Sequence, residues 1–281
     1  MTLRSQRQSN GILPADKRQS NGITRRRVRL LHTSDLHLPG ERSAFSSHGL
    51  AAVGDAFHAL ARVVDAANAR KVDVVLFTGD LFDTYQPSPQ VISFVLDQME
   101  RLNPPAVLIP GNHDCLDCSR VYLGSEWKRT LKPYAITDPL GERLEVPDLP
   151  LTLWGKAMTD HTPAFQPLAG LPERTPAHWC VALGHGFLYP EGRPDGRSSP
   201  IRADEIRASG WDYIALGHKH VFQDVSEEKV RAAYAGSPVR VWNERAQCLL
   251  VTLDDEQEEK VAIEVLSTTG ILSGSGPARH G

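Results

Sequence analysis

The sequence predicts an α/β fold, and three observations carry the prediction. Between residue 28 and about residue 110, apolar spacing alternates between strand and helix periods. A strand in that stretch is apolar on both faces, as a strand inside a covered sheet must be. Five apolar runs along the chain end in histidine, aspartate or asparagine, at the strand ends where open α/β sheets gather their ligands.

The elements follow in order. RVRLLHTSD reads as the first strand, and Leu50, Val53, Phe57, Leu60, Val64 and Ala67 then recur at the three-and-four spacing of an amphipathic helix. KVDVVLFTGD is a second strand. Ile92, Val95, Met99 and Leu102 mark a second helix, with Pro89 near its start, where a missing N–H costs nothing. AVLIPGNHD is a third strand running into a loop. Strand–helix–strand units in this order imply right-handed crossovers with helices covering the sheet.

The second half differs in texture. LTLWGKA, HWCVALGHG, WDYIALGHKH, RAAYAGS, CLLVTLD and VAIEVLS are short apolar runs with one clear helix among them, around PIRADEIRAS. Strands without intervening helices predict a second, more antiparallel sheet packed on the first. Residues 137–150, 159–177 and 189–200 read as loops, and Gly236-Ser237-Pro238 as a tight turn with the option of lining a cleft. Residues 1–27 are polar and repeat RQSNGI, so a disordered tail with solvated Arg25, Arg26 and Arg27 is expected. The domain is then 28–267, followed by a flexible tail at 268–281.

The 281 residues, 41% hydrophobic and 23% charged, have the composition of a soluble globular protein. No segment approaches the run of roughly 20 apolar residues that spans a bilayer, and the chain start lacks the apolar stretch of a secretory signal. Four cysteines do not make a disulfide framework. A cytoplasmic protein is expected. The net charge of −3 leaves no electrostatic footprint for nucleic acid, although it allows a local basic groove.

Asp35 and His37 lie two residues apart at the end of the first strand, so strand alternation points them to one side. Alone, they read more readily as a hydrogen-bonded pair than as half of a metal cage. Asp80 and Asp83, then Asn112, His113 and Asp114, then His185, then His218 and His220 end the other four runs. Imidazole, carboxylate and amide oxygen suit manganese, iron or zinc, and the lack of cysteine at these ends argues against a structural zinc. Asp35, His37, Asp80, Asn112, His185, His218 and His220 are too many donors for one ion and fit two that share a carboxylate. Two neighbouring ions hydrolyse phosphate esters because both the attacking and the leaving oxygen can be stabilised.

In this order, D-x-H, GD, GNH[DE], a lone His and GHxH resemble the calcineurin-like metallophosphoesterase superfamily over about residues 28–267. The resemblance implies a two-sheet sandwich flanked by helices, in α-β-β-α layers. It implies Asp35, His37 and His220 on one metal, Asn112, His185 and His218 on the other, and Asp80 bridging. His113 would stand beside the ions, stabilising the transition state or protonating the leaving oxygen. DLFDTYQPSPQVI, PGNHD, YIALGHKHVFQ and YAGSPVRVWNE look like the SbcD-type DNA repair exonucleases. That subgroup is manganese-dependent, cuts DNA phosphodiesters and works as a dimer with a coiled-coil ATPase partner. Only about sixty residues follow His220, so the DNA-capping domain of such nucleases is not expected here. The expected activity is phosphodiester hydrolysis of the exonuclease kind with two Mn2+ ions. A phosphatase or small-molecule phosphodiesterase is the alternative; a non-catalytic scaffold would show eroded ligands, whereas all seven are in place.

Asp83 and Asp114 read as groups that orient ligands or close turns. His32, His48, His58, His161, His178 and His280 lack partner spacing and read as ordinary histidines, with His48 close enough in sequence to the first loop to approach substrate. Cys115 and Cys118 form a C-x-x-C that reads as two reduced thiols. Tyr189, Arg193 and Arg197 read equally as contacts to a phosphate backbone or as solvated side chains.

Overall fold

Leu30 and Leu31 are adjacent and both fully buried, which a strand allows only when each of its faces meets an apolar layer. Leu30 packs with Val74, Leu76, Val107 and Ile109. Leu31 packs on the other side with Val75, Phe77, Leu108, Leu60 and Val64. The whole architecture follows from this parity.

The computed structural model describes residues 4–5, 25–40, 50–129, 133–189, 199–240 and 245–269. In chain order the first elements are β1 (Arg4–Ser5), β2 (Val28–Thr33), α1 (Leu50–Ala69), β3 (Val74–Thr78), α2 (Pro89–Glu100) and β4 (Ala106–Ile109). A 3-10 turn (Val121–Leu123), α3 (Ser125–Arg129), β5 (Pro133–Ala135), β6 (Glu142–Glu145), β7 (Leu151–Gly155) and β8 (Trp179–His185) follow. Next come β9 (Phe187–Tyr189), β10 (Pro200–Arg202), α4 (Ala203–Ser209) and β11 (Tyr213–Gly217). The last are β12 (Gln223–Asp224), β13 (Arg231–Tyr234), β14 (Gln247–Leu253) and β15 (Val261–Ser267).

One sheet has the order β15-β14-β2-β3-β4-β5 and the other β1-β6-β7-β8-β11-β13-β12, with β9 and β10 forming a separate parallel pair. Residues from α1 and α2 cover the outer face of the first sheet. Between the sheets, Val74, Leu76 and Ile109 meet Leu153, Val181, Leu183 and Tyr213. Outside the second sheet, Trp154, Cys180, Ile214 and Leu216 pack with Ile206 of α4 and with Trp211. Burying a Val, Leu or Phe side chain stabilises by about 1.5–3 kcal/mol, so three such layers supply a strong drive toward this sandwich. The α-β-β-α layering is the one expected. At the start of α2, Ser88 Oγ accepts from the Val91 N–H at 3.3 Å and Pro89 takes the first turn. Val91, Val95 and Met99 form its buried face.

The second sheet corrects an expectation. β7, β8, β11 and β13 run parallel to one another, and antiparallel pairing is confined to its margins. β14 and β15 leave that sheet altogether and add antiparallel to β2. Parallel neighbours require long crossovers. Only the β8-to-β11 crossover contains a helix, α4; β7-to-β8 is a loop and β11-to-β13 carries only the short β12, and the missing helices imitate the pattern of an antiparallel sheet. Within the predicted loops, 137–150 contains β6, and Tyr189 and Pro200 belong to β9 and β10.

Arg25 also departs from its expected place in a solvated tail. Its guanidinium lies 3.4 Å from the centre of the Trp179 ring and donates to both Asp255 and Asp212, leaving the side chain 9% exposed. Arg4 and Ser5 pair with Glu145 and Leu144. A cation and an aromatic face far apart in sequence carry no periodic signal, which is why the contact was invisible there. Thr268, expected to begin a flexible tail, is instead buried, with its hydroxyl donating to Pro238 O at 2.8 Å and its N–H to Ala246 O at 3.0 Å; His48, Arg193, Arg197, His280 and the tail from residue 270 lie outside the described residues. No helix among the described residues is long and apolar enough to cross a membrane.

Candidate metal centre

β2 and β3 are parallel neighbours, and their pairing continues past the strand ends. The Asp35 N–H donates to Gly79 O (3.1 Å), the His37 N–H to Asp80 O (3.0 Å) and the Leu38 N–H to Leu81 O (2.9 Å). This lays the Asp35–His37 loop along the Asp80 loop. Asp35, His37 and Asp80 have φ values of 55°, 49° and 51°, and His218 one of 102°. Left-handed backbone at non-glycine residues costs about 1–2 kcal/mol each, and such strain persists where the surrounding hydrogen bonds fix it. β2 ends at Thr33, so Asp35 and His37 meet through these left-handed turns and not through strand alternation.

Two groups of donor atoms result. Asp35 Oδ1, His37 Nε2 and His220 Nε2 form the first, with 3.1 Å between the two imidazole nitrogens and 3.8 and 3.6 Å from them to the carboxylate. In the second, Asn112 Oδ1 lies 3.0 Å from His185 Nε2 and 2.9 Å from His218 Nδ1. Asp80 stands between. Its Oδ1 accepts the His113 N–H at 2.8 Å, while its Oδ2 lies 3.3 Å from His185 Nε2 and 3.8 Å from His37 Nε2. One carboxylate oxygen therefore faces both groups. All seven residues singled out from the sequence converge here, although they come from five strand ends.

The surrounding contacts fix the orientation of these donors. Asp83 Oδ1 lies 3.1 Å from His37 Nδ1 and 3.0 Å from His113 Nδ1, so one carboxylate aligns two imidazoles. His185 Nδ1 donates to Thr78 O at 2.8 Å, which turns Nε2 inward. Asp35 Oδ2 accepts the His218 N–H at 3.0 Å, and Ser237 Oγ donates to Asp35 O at 2.7 Å. Asp114 accepts from the N–H groups of Leu81, Phe82 and Gly111 and from the Tyr122 hydroxyl, tying the Asp80 loop to the Asn112 loop. A side chain at Gly79, which has φ 96°, would strike the His185 ring, and one at Gly111 would strike the Asp80 carboxylate. The glycines of the GD and GNH motifs thus make room for the donors themselves.

Burial opposes charge on His37, yet Asp83, Asp80 and Asp35 overcome it and raise its pKa to about 9. Burial likewise works against His185, and Asp80, Asp35 and the Thr78 carbonyl raise it to about 9. Burial and the neighbouring His185 push His218 down to about 4. Asp80 is buried, which favours its neutral form, but His185, His37 and His113 hold it far below the usual carboxylate range. The carboxylates thus favour positive charge at His37 and His185, but do not prevail at His218.

Divalent cations fit this donor set. Asp35 Oδ1 is buried and accepts no hydrogen bond among the described residues, an arrangement that costs about 1–3 kcal/mol unless something binds there. It points at two imidazole nitrogens that already face each other. Asp35, His37 and His220 offer ligand atoms within 4.8 Å of one another, as do Asp80, His185 and His218. His37, Asp83 and His113 form a third such group, more open because the His113 side chain is 43% exposed.

Among the remaining histidines, His32 is a core residue held between the Tyr213 hydroxyl (2.8 Å) and Thr78 Oγ1 (3.0 Å), with burial pushing it to about 3. His178 bonds Thr152, and His58 is exposed. His161 was missed. Its ring is exposed and packs edge-on against His218 at 5.8 Å, a proximity created by a loop without periodicity. Tyr189 is buried, which corrects its reading as a solvated or backbone-binding side chain. Cys115 is buried and Cys118 exposed, both free thiols.

Comparison with known proteins places the chain among relatives of similar sequence and fold. The SbcD component of the SbcCD nuclease from Staphylococcus saprophyticus is 29% identical over 115 residues, covering 40% of this chain and 29% of its own length. DNA double-strand break repair protein Mre11 of Methanosarcina mazei is 26% identical over 229 residues, 76% of this chain and 34% of that protein. The chain thus spans about a third of the length of these curated relatives. A dimetal phosphatase from Danio rerio superimposes with a TM-score of 0.58 at 8% identity, covering 86% of this chain and 96% of that one, and so shares the fold. The family profile described as calcineurin-like phosphoesterase matches residues 28–222. That span contains every donor of both groups, and the chain belongs to the calcineurin-like phosphoesterase family, whose members are phosphoester hydrolases with a dinuclear divalent metal site.

Proposed function

We propose that this protein is a two-metal phosphodiesterase of the nuclease kind, acting on DNA. The observation that carries the reading is Asp80 Oδ2, which faces both donor groups, 3.3 Å from His185 Nε2 and 3.8 Å from His37 Nε2. Asp35, His37 and His220 would hold one cation and Asn112, His185 and His218 the other, with Asp80 shared. Mn2+ matches the oxygen and nitrogen donors. Two such ions, when bound, stabilise the attacking and leaving oxygens of an in-line displacement at phosphorus.

The chain's own residues do the rest. Asp83 accepts from His113 Nδ1, leaving Nε2 as the ring atom that reaches substrate. His113 there donates to a phosphoryl or leaving oxygen in the transition state. Asp114 and Tyr122 keep the two loops in register, so His113 stands at a fixed distance from the donors. The sharing of motifs with nuclease relatives supports DNA as the substrate class, a cytoplasmic setting and a coiled-coil ATPase partner, within a folded unit from Arg25 to Thr268. The test is to incubate the manganese-loaded protein with single- and double-stranded DNA, bis-p-nitrophenyl phosphate and p-nitrophenyl phosphate. Cleavage of DNA and of the diester is expected. Turnover of the monoester alone would overturn the nuclease reading, and failure to retain any metal under all loading conditions would leave only a binding scaffold.

A further inference from the structure

The two sides of the donor cluster are built differently. Beside His37 stands His113, with ring centres 4.6 Å apart, bound to Asp83. Beside His218 stand His161 at 5.8 Å and Phe187 at 6.3 Å, both edge-on. The Lys219 ammonium lies 4.9 Å from the Phe187 ring centre and 5.0 Å from that of Tyr234. His161 is exposed, Phe187 and Lys219 are half-buried, and none of the three belongs to either donor group.

Backbone contacts hold this wall in place. The Phe187 N–H donates to Ser199 O and the Ser199 N–H to Thr162 O, both at 3.0 Å, which joins β9 to the His161 segment. The Leu116 and Asp117 N–H groups donate to Met158 O and Thr159 O, anchoring that segment to the loop after His113. The Tyr234 hydroxyl donates to Gly186 O beneath Phe187. A site supported this way is preorganised. Its chemistry is an aromatic face, a cation and an exposed imidazole. An aryl group or nucleobase attached to a phosphate matches all three, by stacking, charge and hydrogen bonding. A phosphomonoester has one organic arm, whereas a diester has two and needs somewhere to place the second.

Resting on the phosphodiesterase reading above, we propose that His161, Phe187 and Lys219 form the subsite for the second organic arm of a phosphodiester. His161 donates to an ester or phosphoryl oxygen next to that arm, Phe187 stacks on the arm, and Lys219 backs the ring and adds positive charge. Diester specificity then resides on the His218 side, while His113 serves the other.

The experiment compares the manganese-loaded wild-type chain with His161→Ala, His161→Gln and Phe187→Leu on bis-p-nitrophenyl phosphate and p-nitrophenyl phosphate. Binding of a dithymidine phosphorothioate is followed by calorimetry as a second readout. In His161→Ala the diester-to-monoester ratio of kcat/KM should fall about 10- to 100-fold, the value of a hydrogen bond to a charged group. His161→Gln keeps a donor and should recover part of it. Phe187→Leu should raise KM for the diester with kcat retained, and phosphorothioate binding should weaken in both His161→Ala and Phe187→Leu. A wild-type enzyme active on the diester whose ratio is unchanged by these substitutions would overturn the subsite alone, and so would equal losses on both esters. Monoester turnover alone by the wild type would overturn the diesterase reading and the subsite together.

Discussion

Replacing Asp80 by asparagine tests whether one oxygen serves both donor groups. Asparagine keeps the shape and can still accept the His113 N–H that Asp80 Oδ1 takes at 2.8 Å, so the loop from Gly111 to Asp114 should stay in place. What disappears is a negative charge 3.3 Å from His185 Nε2 and 3.8 Å from His37 Nε2. At an effective dielectric constant of about 20, unit charges at those separations attract by about 5 and about 4 kcal/mol. Relief of the buried carboxylate's own desolvation offsets part of this. Those attractions act on the protonated imidazoles; a bound dication loses a shared anionic ligand, which should weaken each ion at least about 10- to 100-fold, the range for losing a group that supports a metal ligand. The assay dialyses manganese-loaded wild type and variant side by side and measures metal per chain. Imidazole 15N shifts of the metal-free proteins report His37 and His185, whose pKa values should fall from about 9 in the variant. If Asp80→Asn retained two ions with wild-type affinity and left both histidines titrating as before, the shared-oxygen reasoning would be refuted.

Other consequences can be checked independently. His113→Ala should leave metal content unchanged and lower kcat by about 10²–10⁴-fold, as removal of a proton-donating group does; loss of metal instead would make it a ligand. Metal affinity should rise with pH. His37 and His185 are raised from 6.5 to about 9, so near pH 7 each group must release a proton to bind a cation, giving about tenfold tighter binding per pH unit per ion up to about pH 9. A flat profile from pH 6.5 to 9 in competition with a chelator would contradict this. For the metal-free fold the sign is opposite: these raised values stabilise fully below about 6.5, and the contribution is lost as pH rises through 9. Arg25→Ala should destabilise the fold by about 2–3 kcal/mol, the value of charge-assisted hydrogen bonds to Asp212 and Asp255. Thermal unfolding would show it, and an unchanged midpoint would place Arg25 outside the folded unit.

Much of the site was legible because its motifs are local. GD, GNHD and GHKH each place a donor one residue from a glycine, and the structure gives the reason at Gly79 and Gly111, where a side chain would occupy the space of His185 or Asp80. Asp83 and Asp114 were legible as supporting groups for the same cause, since each lies within a loop that already carries a donor. His161, Phe187 and Lys219 were not readable as a wall, because their neighbourhood depends on β9 pairing with β10 and on one loop bonding another. Nor was Arg25, whose partners lie more than 150 residues away.

By itself the sequence determined the α/β class and the apolar faces of the first strands and helices, and it pointed to seven candidate donors at five strand ends. Side-chain parity and motif spacing are properties of a chain with fixed backbone geometry, so they can be read before folding. Tertiary structure alone decided that the second sheet is mainly parallel and that β14 and β15 complete the first. It also decided that Asp80 turns a single oxygen to both donor groups. These depend on which distant segments pair once apolar layers close, and the free energy of that choice is shared among many strands instead of being written in any one of them.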